Sequence, residues 1–266
     1  MLRISVCLKI SLDTGQLKAD PQTRAPRLEN APLRVGSIDE NALEEAVRLK
    51  ERHGGEVRAV MLVGAPPPEE LVLRVLAMGA DEAVQIVDET LGAADALATA
   101  TLLAAALRKL PAADLILCGE GSLDEYNRQV GPRIGEALGL PILTHVTKLA
   151  LSDGRIEAER ALEDRAERVA CALPALLTVS QEINQPRFAA VLQILGASKK
   201  PRVVWGLRDL ELPEGVSAAS LAGLRTLEVA APASARRRIV VDGETPAARA
   251  RSLARRLLEE GALRLG

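Results

Sequence analysis

The sequence predicts an α/β fold: a Rossmann-like, mainly parallel sheet with helices on both faces, followed by a C-terminal extended arm. Three observations predict it. Short runs rich in Val, Ile and Leu alternate with amphipathic helical stretches over roughly the first 150 residues, the βαβα rhythm of a parallel sheet. The run Leu115-Ile116-Leu117-Cys118 is apolar without alternation, as a strand covered on both faces requires. From Pro201 onward the periodicity lapses into short segments punctuated by Pro and Gly, which do not build a second core.

The elements follow in order. Ile4 to Leu8 opens as a strand, and Glu40 to Arg52 gathers Leu43, Ala46, Val47 and Leu49 on one helical face. Glu56 to Val63 is a strand, Glu69 to Met78 a helix and Glu82 to Val87 a strand. Ala93 to Leu110, rich in alanine and leucine, forms a helix that leads to the strand Leu115 to Cys118, and Val130 to Leu138 adds a further helix. Arg155 to Arg160 and Arg168 to Ala172 flank a turn at Asp164, as in a hairpin. Leu176 to Ser180 is a strand that runs into an irregular stretch from Gln185 to Lys200. Beyond it come a basic patch, Arg236-Arg237-Arg238, and a terminal helix from Ala247 to Leu257. A main domain therefore spans residues 1–200 and the arm residues 201–266.

Composition narrows the function. Lys and Arg number 34 against 36 Asp and Glu, so the net charge of −2 offers no field for nucleic acid or an anionic membrane. One Trp, one Tyr and one Phe leave nothing for base stacking. No apolar run reaches the roughly 20 residues that span a bilayer, and MLRISVCLKISLD reads as a strand, not a signal peptide. Cys7, Cys118 and Cys171 sit singly in strand-like runs, which points to free thiols in a reducing, cytoplasmic setting.

Ligands of open parallel sheets lie beyond the carboxyl ends of the strands. The loop after Cys118 is the leading candidate: Gly119, Glu120, Gly121, Ser122, Leu123, Asp124, Glu125, Tyr126, Asn127, Arg128 and Gln129 precede the helix from Val130. Gly119 and Gly121 permit close backbone approach, the helix start offers N–H groups to an anion, and Ser122, Asn127 and Gln129 add hydrogen-bonding groups. A glycine-rich turn that only caps a helix is the competing reading, for the loop is neither a Walker A nor a dinucleotide fingerprint. Cys7 and Lys9 close the first strand and Val63 and Gly64 the second. Lys9 suits a phosphate or plain solvent. In the turn Gly36-Ser37-Ile38-Asp39, Ser37 or Asp39 suits the N-cap of the next helix. His53 and His145 have no nucleophile or carboxylate at a recognised catalytic spacing, and no metal or acid–base constellation is present in the pattern.

Residues 160 to 187 read RALEDRAERVACALPALLTVSQEINQPR. With LAMGADEA, LILCG and Gln129-Val130-Gly131-Pro132, all in the same order, this stretch resembles the electron transfer flavoprotein beta subunit over nearly the whole chain. The wording resembles the branch with nitrogen-fixation and electron-bifurcating members. The resemblance implies an adenine-nucleotide-binding α/β domain whose arm and terminal helix pack on an alpha subunit in a heterodimer. It implies an electron carrier, not an enzyme, with FAD shared with the alpha subunit and either AMP or a second FAD held by this chain.

By position, nucleotide contacts fall on Cys7, on Gly36, Ser37, Ile38 and Asp39, on Val63, and on the loop from Gly119 to Val130. Val191 falls at the anchor of a recognition loop for flavin dehydrogenases, with Leu192 and Ile194 beside it, and an electron acceptor is a further transient partner. The chain departs from the family pattern at Gly36 to Ile38, at Glu120, Gly121, Ser122, Glu125 and Tyr126, and at Arg165. A stand-alone adenine-nucleotide module of the stress-protein type is the alternative that shares the α/β layout.

Overall fold

The computed structural model describes residues 1–214, 223–224, 226–232 and 238–263. In chain order it contains β1 (Leu2–Leu8), β2 (Ile10–Leu12), β3 (Lys18–Ala19), β4 (Pro26–Arg27), β5 (Leu33–Val35), α1 (Ser37–His53), β6 (Gly55–Val63), α2 (Glu69–Met78), β7 (Glu82–Val87), α3 (Ala96–Lys109), β8 (Leu115–Gly119), α4 (Val130–Leu138), β9 (Ile142–Ser152), β10 (Arg155–Ala161), β11 (Ala166–Ala172), β12 (Ala175–Val179), α5 (Val191–Ala197), β13 (Arg202–Trp205) and α6 (Pro246–Glu259).

Nine strands form one sheet in the order β11-β10-β9-β12-β8-β1-β6-β7-β13. From β9 to β13 every neighbouring pair is parallel. The hairpin β10–β11 adds two antiparallel strands at the β9 edge. Alternation along β1 divides the core in two. Ile4, Val6 and Leu8 pack with Leu43, Ala46 and Val47 of α1 and Val75 and Leu76 of α2. Cys7, with Val60 and Ile116, packs on the other face against Leu102, Leu103 and Ala106 of α3 and Ile134 of α4. Each fully buried leucine, such as Leu43 or Leu117 at 0% exposure, contributes about 1.5–3 kcal/mol relative to solvent.

The order of strands places the site. From β1 the chain steps outward through α1, β6, α2 and β7; α3 then carries it back to β8, on the other side of β1. The connections after β1 and β8 thus lead to helices on opposite faces, which opens a crevice beyond their carboxyl ends.

Several expectations are corrected. Gly36 is the N-cap of α1 and makes no side-chain cap, so neither Ser37 nor Asp39 fills that role. The helix expected from Ala93 starts at Ala96, because the Asp95 carboxylate accepts the Ala98 N–H at 2.8 Å and caps it there. The stretch from Gln185 to Lys200 is not wholly irregular: it contains α5. Residues 202–205 pair with β7 and complete the sheet. The segment between β1 and α1 forms two small antiparallel ribbons, β2–β5 and β3–β4. Of the basic patch, Arg236 and Arg237 lie outside the described residues.

Candidate functional site

The carboxyl ends of β1 and β8 meet the first turn of α1 at one side chain, Asp39. Its Oδ2 accepts the Lys9 N–H at 2.8 Å and its Oδ1 the Gly119 N–H at 3.2 Å. Neighbouring glycines make room for it: a Cβ on Gly36 would lie 2.7 Å from Oδ2, and one on Gly119 would overlap Oδ1. Asp39 is 6% exposed. Burial pushes its carboxyl up to about 7, against the pull of those two N–H donors.

Above Asp39 lies a cavity of about 430 Å³, within the usual range of small-molecule sites. Its floor carries Cys7 and Cys118, which face each other across β1 and β8. The Cys7 contact, together with burial, raises the Cys118 thiol far above its ordinary value, so Cys118 is protonated and inert. One wall is apolar: Leu62, Val63, Pro66, Leu91 and Leu103. The opposite wall is the loop from Gly119 to Gly131.

That loop is held by its own side chains. Lys9 Nζ pairs with Asp124 at 2.8 Å and lies 3.8 Å from Glu125. Partial burial raises the Asp124 carboxyl, but donors from Lys9 and Ser122 outweigh it and hold the group below its ordinary value. The Tyr126 hydroxyl donates to Glu120. The Arg128 guanidinium sits over the Tyr126 ring, 4.5 Å from its centroid. Tyr126 and Arg128 hold φ of 48° and 58°, a conformation that non-glycine residues adopt at a cost of about 1–2 kcal/mol each.

Of the residues singled out from sequence, Cys7, Lys9, Asp39, Val63, Gly64, Gly119, Glu120, Gly121, Ser122, Asp124, Asn127, Arg128, Gln129 and Val130 line this one cavity. Gly36, Ser37, Ile38 and Leu123 do not; Gly36 N–H instead bonds the Lys9 carbonyl at 3.0 Å. Sequence reasoning did not find the far wall, Leu91, Gly92 and Thr99, nor Leu33 from the β2–β5 ribbon. The signal for Gly92 was tertiary: a Cβ on Gly64 would lie 3.2 Å from its nitrogen.

A second polar cluster ties the segment after β12 to α1. Asn41 Nδ2 donates to the Asn184 carbonyl at 2.8 Å, and Asn184 Nδ2 donates to Glu45 at 3.0 Å. Arg187 forks onto Glu44 at 2.8 Å and Glu51 at 2.5 Å. Burial raises the Glu44 carboxyl, but donors from Arg187 and Arg48 outweigh it and leave the group below its ordinary value. Just beyond this clamp, Phe188, Val191, Leu192, Ile194 and Leu195 are all exposed.

A family model described as the electron transfer flavoprotein domain matches residues 29–210. The chain belongs to the electron transfer flavoprotein family. It is 38% identical over 211 residues to the electron transfer flavoprotein subunit beta of Clostridium acetobutylicum, covering 79% of this chain and 81% of that protein. It is 37% identical over 211 residues to the caffeyl-CoA reductase-Etf complex subunit CarD of Acetobacterium woodii, covering 79% and 80%. Protein FixA of Azorhizobium caulinodans is 36% identical over 231 residues, covering 84% and 80%.

The chain's role is thus that of an electron transfer flavoprotein beta subunit, a flavin-associated electron-transfer protein that works beside an alpha subunit. The stand-alone stress-protein reading is not favoured. Among the described residues no helix is long and apolar enough to cross a membrane.

Proposed function

We propose that this beta subunit holds AMP in the cavity beyond β1, β6 and β8, and helps an alpha subunit form the site of a shared FAD. The observation that carries the AMP assignment is the position of the cavity at the reversal of strand order, floored by Asp39 and the paired strand ends. The residues present fit an adenine nucleotide. Leu62, Val63, Leu91 and Leu103 offer an apolar wall to a base, and Thr99, Asn127 and Gln129 offer hydrogen-bonding groups to a ribose. AMP supplies no redox chemistry; it braces the loop against the sheet, while a shared FAD would carry the electrons.

On this reading flavin dehydrogenases and an electron acceptor dock transiently at α5, where Val191, Leu192 and Ile194 are 72%, 82% and 54% exposed. A small apolar anchor suits a carrier that must release quickly. The arm supports the heterodimer: among the described residues α6 buries none of its side chains and leaves Leu253 and Leu258 exposed, an apolar stripe for the alpha subunit. Free Cys7, Cys118 and Cys171 agree with a cytoplasmic setting.

The test is to co-purify the complex of both subunits, denature it and quantify what is released. One FAD and one AMP per heterodimer is expected. Two FAD and no AMP would place a second flavin in this cavity and open a bifurcating role. Two chains that elute only as separate monomers on size-exclusion chromatography would refute the heterodimer.

A further inference from the structure

The cavity has two cations and four carboxylates on its walls: Lys9 and Arg128 against Asp39, Glu120, Asp124 and Glu125. Such a balance repels phosphate unless one cation remains available. Lys9 does not: Asp124 and Glu125 already hold its ammonium. Arg128 does: it forms no ion pair with any described residue, and its partner is Tyr126, whose ring it covers and whose side chain it hydrogen-bonds. The remaining N–H groups of its planar fork suit the oxygens of one phosphoryl group.

The surrounding chain is built to hold it there. Glu120 accepts the Tyr126 hydroxyl, which anchors the ring that Arg128 covers. Gly121 is bare beneath that ring, for a Cβ there would lie 2.7 Å from Tyr126 Cδ2. Both Tyr126 and Arg128 are kept at positive φ, strain of the kind that gathers at ligand clamps. The Tyr126 side chain is the largest influence on the Arg128 cation and favours it; Glu120 and, from the β10–β11 turn, Glu163 favour it further without an ion pair.

We propose, resting on the nucleotide reading above, that Arg128 is the specificity-determining residue of this cavity. It recognises a single phosphoryl group, with Tyr126 and Glu120 as its positioning residues. The remaining carboxylates then limit the ligand to one phosphoryl group, so the site prefers a nucleoside monophosphate to both the nucleoside and the diphosphate.

The test is calorimetry on the complex of both subunits, freed of nucleotide, with AMP, adenosine and ADP. AMP is expected to bind about tenfold to a hundredfold tighter than adenosine, the usual worth of a hydrogen-bonded charge, and ADP weaker than AMP. Arg128→Ala should abolish the preference for AMP over adenosine while leaving adenosine within about twofold. Tyr126→Leu, which removes the platform, should lower the AMP-to-adenosine ratio in the same sense. Glu120→Gln keeps the acceptor for Tyr126, removes a nearby negative charge, and should tighten AMP. Equal binding of AMP and adenosine by the unaltered complex, or a preference that survives Arg128→Ala, would overturn the role of Arg128 and leave AMP binding intact. Binding of neither ligand would overturn the nucleotide reading and this proposal with it.

Discussion

The buried carboxyl of Asp39 gives stability an unusual pH dependence. In the folded chain it titrates near 7, because burial disfavours its charge. In the unfolded chain it titrates at the ordinary value of 3.8. Between these values the folded state holds a proton that the unfolded state has lost, so stability is present at low pH and falls as pH rises. The slope approaches 1.4 kcal/mol per pH unit, and between about pH 5 and 7 the loss comes to about 2 kcal/mol.

Asp39→Asn removes the titration. The amide cannot accept both N–H groups of Lys9 and Gly119, so the variant is weaker by about 1–3 kcal/mol at every pH. The slope is therefore the informative quantity, not the level. Urea unfolding of the full chain at a series of pH values from 5 to 7 yields both. Glu44, Glu51 and Asp124 are each held below their ordinary values, so they stay ionised in that window. The parent should lose about 2 kcal/mol more than the variant across the series. Parallel profiles for the two proteins would show that Asp39 is ionised throughout, and would refute burial as the dominant influence on it.

Three other changes follow from the same geometry. Gly119→Ala puts a methyl on Asp39 Oδ1 and 3.2 Å from the Asp39 nitrogen; the midpoint of urea unfolding should fall by the equivalent of about 1–3 kcal/mol. Arg187→Ala leaves Glu44, 2% exposed, with Arg48 and the backbone N–H of residue 187, and should cost about 2–4 kcal/mol by the same measurement. Leu192→Asp changes a side chain that is 82% exposed, so stability should stay within about 0.5 kcal/mol while the rate of electron transfer from a partner flavin dehydrogenase falls at least about tenfold; an unchanged rate would remove α5 from the docking surface.

Much of the sheet was legible because its punctuation is local. α2 was placed at both ends, since Pro68 precedes it and Gly79 ends it at φ 131°. β7 and α4 match their expected bounds too. α5 escaped notice because Val191, Leu192, Ile194 and Leu195 present no polar face, so no helical period separates an inside from an outside. At the site, the loop from Gly119 was legible as a strand end followed by a helix start. Its charge state was not. Whether Lys9 is free or spent depends on Asp124, 115 residues away, and only the register of β1 against β8 brings the two together. The same holds for Asp39, which reads as a helix cap in sequence and becomes a strand-end clamp once β8 lies beside β1.

α1 joins the two working regions. Its first turn carries Asp39 into the cavity floor, and its next turns carry Asn41, Glu44 and Glu45 onto Asn184 and Arg187, which root the segment leading to α5. Every residue from Ile38 to Val47 is buried. A helix so embedded does not slide without breaking close packing along its length, and packed interiors deform little. A nucleotide against Asp39 therefore acts on α5 as a brace, not as a lever: it fixes the end of the rod from which the docking segment hangs. The arrangement suits a carrier whose anchor meets different partners in turn, because the anchor's exposed side chains stay free to adapt while the backbone that presents them is held.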